Sequence, residues 1–129
     1  MPNGDPRIWI FYAEEDFGVM ETEKSSVCPR WTVIAMLAQQ SAEKYLKALL
    51  VSQKKPVQRT HNLNTLVLDL LSAFPDLSSL NDDCRLLTRG YLPSRYPLTG
   101  QPLAPEEARK MSEAAERIRA AVMPLLSNL

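Results

Sequence analysis

The sequence has 129 residues, 45% of them hydrophobic, with fifteen Lys plus Arg balanced by fifteen Asp plus Glu. That length and apolar content fit one globular domain over residues 1–129, while zero net charge supplies no overall field with which to hold a polyanion non-specifically. No apolar run reaches the ~18 residues a membrane helix needs and no leader-like pattern opens the chain, so the expected setting is soluble and cytoplasmic, without membrane attachment.

Asp5 and Pro6 make a helix opening, Asp as N-cap and Pro at the first helical position, and the first helix is expected to run to about Glu23. Trp9, Ala13, Phe17 and Met20 form one stripe, but Ile8, Ile10, Phe11, Tyr12 and Val19 carry the apolar arc past half the circumference. Such a helix needs cover on two sides. A second copy of the chain is the economical cover, which makes Ile8, Phe11 and Tyr12 dimer-interface candidates. Asp16 lies inside the same arc and needs either a structural ion pair or a place in a wet site.

The strongest helix signal is Trp31 to Gln53, WTVIAMLAQQSAEKYLKALLVSQ, with start signals at Ser25, Ser26 and Pro29. At ~100° per residue, Trp31, Ile34, Ala35, Ala38, Ala42, Tyr45, Leu46 and Leu49 fall on one stripe and Gln40, Glu43, Lys44 and Lys47 opposite. Val33, Met36 and Leu37 make its first half apolar all round, and they join the interface candidates. A length of ~35 Å suits a central rod.

A connection broken by Pro56 leads to a third helix from about His61, whose apolar pattern continues from Leu63 to Phe74 and stops at Pro75. Leu77, Leu80, Cys84, Leu87 and Tyr91 define a fourth. No helix is expected to cross 92–104, LPSRYPLTGQPLA, a long loop of the kind that is either functional or disordered. Pro105, Glu106 and Glu107 open the last helix, with a seam from Ala108 to Leu125, an i, i+4 pair of Glu113 with Arg117, and a kink or fraying at Pro124. The pattern throughout is all-α: an antiparallel up-and-down four-helix bundle with an additional short helix.

The chemistry is restricted by a single histidine. Position 58, three before His61, is Gln, so the Glu-x-x-His pairs of helical di-metal bundles are absent, and no second His exists for a zinc site. Cys28 and Cys84 lie far apart without a Cys-x-x-Cys spacing, and four glycines provide no phosphate-cradling loop. No metal, no cofactor and no catalytic residue is assigned. Charge is uneven, acidic over residues 1–24 and basic over 44–59, a pattern of two solvated faces or of self-complementary packing. Tyr91, Arg95 and Tyr96 cluster where Pro93 and Pro97 stiffen the chain; Arg offers a donor fork for phosphate or carboxylate and Tyr a ring for stacking. Equally, Tyr91 can be the last core residue of its helix and Arg95 a clamp on the acidic first helix. The stripe of Gln40, Glu43, Lys44 and Lys47 is either a ligand face or a solvated one with Glu43 and Lys47 paired.

Trp9, Ala13, Asp16 and Phe17, then AQQSAEKYLKALLV from Ala38, HNLNTL from His61 and YLPSRYP from Tyr91, together resemble the HEPN domain family, named for higher eukaryotes and prokaryotes nucleotide-binding. The resemblance implies a helical bundle, commonly a homodimer, often paired with a minimal nucleotidyltransferase as a toxin–antitoxin-like system, and in several branches an RNase. Those RNase branches carry Arg followed four to six residues later by His; the corresponding positions before His61 are Lys54, Lys55 and Pro56. Leu37 stands where similar sequences often have His. The implied protein is therefore non-catalytic, binding a nucleotide, a nucleotidyltransferase partner or both, with Gln40, Glu43, Lys44, Lys47, Tyr91, Arg95 and Tyr96 as ligand candidates. The alternatives are an atypical ribonuclease acting on RNA and a helical interaction module.

Overall fold

The structure is a computed structural model that describes residues 4–95 and 103–127, with the side chains of 91–95 outside that description. Its order is α1 (Pro6–Lys24), α2 (Trp31–Ser52), α3 (Leu63–Leu70), a 3-10 turn (Pro75–Leu80), α4 (Asn81–Arg95), α5 (Pro105–Val122) and a closing 3-10 turn (Met123–Leu126). There is no strand among the described residues, so the all-α expectation holds.

Local chemistry sets most of the boundaries. The Asp5 carboxylate accepts the Arg7 N–H at 2.9 Å, with Pro6 at the first helical position of α1. The Ser25 N–H then returns to the carbonyls of Glu21 and Thr22, each at 3.2 Å. Ser25 therefore closes α1 instead of opening α2, against the sequence expectation. The cap residue of α2 is Arg30, without a side-chain cap, and its N–H goes to Glu23 Oε1 at 2.9 Å, so a carboxylate from the end of α1 sits at the start of α2. Asn62, not His61, caps α3, its Oδ1 accepting the N–H groups of Asn64 and Thr65 at 3.0 and 3.4 Å.

Three expected spans shift: the fourth helix begins only at Asn81, with Leu77 and Leu80 in the 3-10 turn before it. The apolar run to Phe74 is not all helix: α3 stops at Leu70, and Phe74 takes φ −136°, ψ 74° ahead of Pro75, whose ring disfavours the helical region for the residue before it. At the other end, α4 continues through Pro93 to Arg95, where the sequence pattern predicts a loop. Pro93 lacks only the N–H that would bond back to the Arg89 carbonyl, a small loss in a last turn whose ladder is already ending.

Side-chain contacts give the directions. Lys44 meets Asp16 and Lys47 meets Trp9, so α1 and α2 are antiparallel. Arg117 meets Asp83 and Gly90 lies at Met111, so α4 and α5 are antiparallel. α2 packs against each of the other four helices, the central rod of the pattern. Tyr45, Leu46, Leu49 and Leu50 from α2 meet Met20, Leu63, Leu66, Leu70, Leu87, Met111 and Ile118 in a solvent-free core. Cover is densest over the second half of α2, where every residue from Tyr45 to Val51 is buried, whereas Val33, Met36 and Leu37 in its first half stay half-buried. No described helix is long and apolar enough to cross a membrane.

Candidate functional site

Gln39, Glu43 and Lys47 recur every four residues and so stack along one face of α2. Glu43 is the hub. Its Oε1 accepts Gln39 Nε2 and faces His61 Nδ1, each at 2.9 Å, and its Oε2 accepts Lys47 Nζ at 2.9 Å. The Lys47 ammonium also lies 5.8 Å from the centre of the Trp9 ring on α1, within cation–π range. Only 13% of the Glu43 side chain and 10% of that of Lys47 are exposed, against 58% for His61. Burial pushes the Glu43 carboxyl up, but the hydrogen bonds from His61, Lys47 and Gln39 outweigh it and hold the group below the usual carboxylate range. Gln39 Oε1 is buried with no hydrogen-bond partner among the described residues. The cluster thus orients an exposed imidazole by a buried carboxylate.

Beside it, Lys44 reaches the other way and pairs with Asp16, resolving that carboxylate as one half of an ion pair. On the α5 side of α1, Glu14 Oε1 accepts the Tyr45 hydroxyl at 2.5 Å while Arg119 clamps both Glu14 oxygens at 2.8 and 3.0 Å and covers the Phe17 ring at 5.1 Å. The Arg119 contact holds the Glu14 carboxyl low, and burial with the Glu14 contact raises the Tyr45 hydroxyl. Lys24 completes this α1–α5 seam, donating to Ser112 Oγ and Glu116 Oε2 at 3.1 and 2.9 Å. Arg117 does not pair with Glu113; it grips Asp83 on α4 at 2.8 and 2.9 Å, a bidentate geometry that an i, i+4 helix partner does not offer.

Of the expected ligand residues, Glu43 and Lys47 come together, and Lys44 flanks them. Gln40 is half-buried and makes no side-chain hydrogen bond among the described residues; its neighbour Gln39 occupies the cluster instead. Tyr91 and Arg95 lie on the last turns of α4, their side chains outside the described residues, as is all of Tyr96. That end of α4 is the end at which α2 begins, because Arg109 near the start of α5 covers Trp31 at 4.8 Å. Lys44 and Lys47 stand ~20 Å or more further along α2. The fold does not unite them with Arg95. Trp9, Gln39 and His61 are not recognisable as a set in the sequence because they come from three separate elements; the four-residue spacing of Gln39, Glu43 and Lys47 is the available signal.

On the opposite face of α1, Ile8, Phe11, Tyr12 and Val19 are each more than half exposed. Ile8 and Tyr12 line a shallow groove with Lys44, and Lys44 shares its stripe of α2 with Val33, Leu37 and Gln40. Ile8 and Tyr12 thus border one groove with Lys44, while Val33 and Leu37 lie on the same stripe of α2 at least seven residues, ~10 Å, before Lys44.

A family model for the HEPN domain matches residues 6–125. No curated protein matches the chain. Among solved structures, TT1696 from Thermus thermophilus is similar, with a TM-score of 0.72, 25% sequence identity and coverage of 91% of this chain and 94% of that one. With the helical order and a family match over nearly the whole length in agreement, the chain belongs to the HEPN domain family.

Proposed function

We propose that this HEPN protein is a non-catalytic binding protein, a homodimer that engages a nucleotide, a minimal nucleotidyltransferase partner or both, in a toxin–antitoxin-like arrangement. The observation that supports the reading is the exposed apolar stripe of α1, Ile8, Phe11, Tyr12 and Val19. Phe11, 58% exposed, packs edge-on against Tyr12 with ring centres 5.4 Å apart, and both rings stay open to solvent among the described residues. A stripe of large side chains left open on a helix is a docking surface for another protein, and a two-fold copy of the same surface is its simplest occupant. Lys44 lies at the edge of that stripe, where a partner or ligand would meet it, and Gln40 one turn before it on α2; Tyr91, Arg95 and Tyr96 are the further proposed ligand contacts. Sedimentation velocity across the micromolar range tests the reading: the wild type runs as a dimer, and Phe11→Glu runs as a monomer with unchanged helical circular dichroism. A wild type that stays monomeric throughout removes it.

One observation favours a second reading, an atypical ribonuclease. Glu43 holds His61 by Nδ1 in the manner of a carboxylate that orients a general base. Cleavage of RNA by the purified protein, lost in His61→Asn, would establish that activity, and protein inert toward structured and single-stranded RNA alike retires it.

A further inference from the structure

Where the end of α1 lies against α5, two carboxyl groups meet one ammonium. Lys24 Nζ donates to Glu116 Oε2 at 2.9 Å and to Ser112 Oγ at 3.1 Å, and it stands 4.0 Å from Glu21 Oε1. That Glu21 oxygen is buried and accepts no hydrogen bond among the described residues. The Glu21 and Glu116 side chains lie within hydrogen-bond reach of each other. The cations around them are held by other carboxylates. Arg119 clamps Glu14, and Arg117, with Glu113 beside it, grips Asp83 on α4. From the α2 side, Lys44 pairs with Asp16, Lys47 with Glu43, and Arg30 with Glu23. Lys24 therefore serves two carboxyl groups at once, one on each helix.

We propose that Glu21 and Glu116 form a proton-operated latch between α1 and α5, closed while one proton lies between the two carboxyl groups and loosened when both are ionised. The charge balance of the seam is the reason. With Glu21 neutral, its O–H donates to the Glu116 carboxylate, whose charge Lys24 matches. With Glu21 ionised, two carboxylates share one ammonium and a buried oxygen carries charge without a donor. Burial, and then Glu116, hold the Glu21 carboxyl above its ordinary value of 4.5. Burial also acts to raise Glu116, but hydrogen bonds from Glu21 and Lys24 outweigh it and hold that group low. Such a division is expected of two groups that share one proton. An opened seam returns Glu21 to its ordinary value. The stabilisation that its proton gives the closed seam is therefore complete below 4.5 and is lost as the pH rises through the closed-state value. Little else holds this stretch, since Met20 is its one buried residue. The latch is a property of the single chain and needs neither a ligand nor a second copy.

Carbon-detected NMR titration of the glutamate side chains in the whole protein tests the latch, and its first reading needs no variant. Glu21 titrates above 4.5 and Glu116 below it. Glu116→Gln removes the neighbouring charge and moves the Glu21 midpoint down. Hydrogen exchange at residues 17–24, corrected for the intrinsic pH dependence of the chemistry, reads the mechanical consequence. Between pH 4.5 and neutrality, opening of this stretch relative to α2 becomes more frequent. The increase is about tenfold for each pH unit by which the Glu21 midpoint exceeds its ordinary value. Glu21→Gln, which keeps the shape and cannot ionise, abolishes that rise. A Glu21 midpoint at or below 4.5 overturns the latch, as does a midpoint that Glu116→Gln leaves in place. Opening of residues 17–24 that stays constant with pH in the wild type, or that rises equally in Glu21→Gln, overturns it as well.

Discussion

Glu43 and Lys47 are charged side chains that the fold holds only as a pair. Each is almost out of water, and each is neutralised by the other at 2.9 Å. Removing one partner of a buried pair leaves the other charged and unsolvated, a loss of ~3–5 kcal/mol. Glu43→Ala is therefore expected to lower stability by about 3 kcal/mol or more, read as a fall in the urea midpoint, with Glu43→Gln costing less because the amide still meets Gln39 and His61. The acid limb of the stability profile follows from the same groups. Glu14 and Glu43 sit below their ordinary value of 4.5 when folded, so the stability they contribute is present above that value and disappears as the pH falls through their folded values. Glu21 runs the other way. Burial, and then the neighbouring Glu116 carboxylate, raise it, so its ionisation costs stability once the pH exceeds its folded value. Glu21→Gln is expected to raise the melting temperature at neutral pH and to change it less well below the ordinary value of 4.5, where the carboxyl is protonated folded and unfolded alike. An equal gain at both pH values would place the effect in packing and not in charge.

At the scale of the helix, Gly18 is the residue out of keeping with its surroundings. It lies in the interior of α1, and a Cβ there would meet no atom within 4 Å. Glycine in such a position costs ~0.5–1 kcal/mol relative to alanine. Nothing among the described residues accounts for it, in contrast to Gly90, which makes room for Met111. Gly18→Ala is expected to stabilise the monomeric fold by about 0.5–1 kcal/mol in denaturant titrations. Gly18 is also seven residues after Phe11, on the exposed stripe, so a bulky Gly18→Leu should weaken self-association that the alanine variant tolerates. The helices themselves were legible, since α1 and α2 announce themselves by Asp5-Pro6 and by an apolar period sustained over about six turns. The boundaries that went unread depend on contacts between distant residues: Glu23 at the start of α2, and α4 running past Pro93. The site was half legible for the same reason. Glu43 and Lys47 share a helix and a spacing, while His61 reaches Glu43 only because the connection after α2 folds back along it.

Over the whole molecule the helices are unequally anchored. α2 buries thirteen of its 22 residues and α1 only Pro6, Ala13 and Met20 of its 19. α1 meets α5 chiefly through long polar side chains, Glu14 with Arg119 and Lys24 with Ser112 and Glu116, instead of through an apolar seam. Half-exposed ion pairs of this kind contribute little each. The outer face of α1 contributes nothing while it is open to water. Regions with few buried apolar contacts open first, so in dilute protein the amides of α1 are expected to exchange with solvent faster than those of α2 or α5. Association through Ile8, Phe11, Tyr12, Val33, Met36 and Leu37 changes this order, because whatever binds only the closed form raises the free energy of opening by mass action. Hydrogen exchange followed by mass spectrometry at low and high protein concentration then separates two architectures. A dimer formed on the α1–α2 surface protects α1 and the first half of α2 as concentration rises and leaves α5 unchanged. Concentration-dependent protection on α4 and α5 instead would move the dimer to the opposite side of the bundle, and exchange independent of concentration would make α1 a weakly held helix awaiting a different protein.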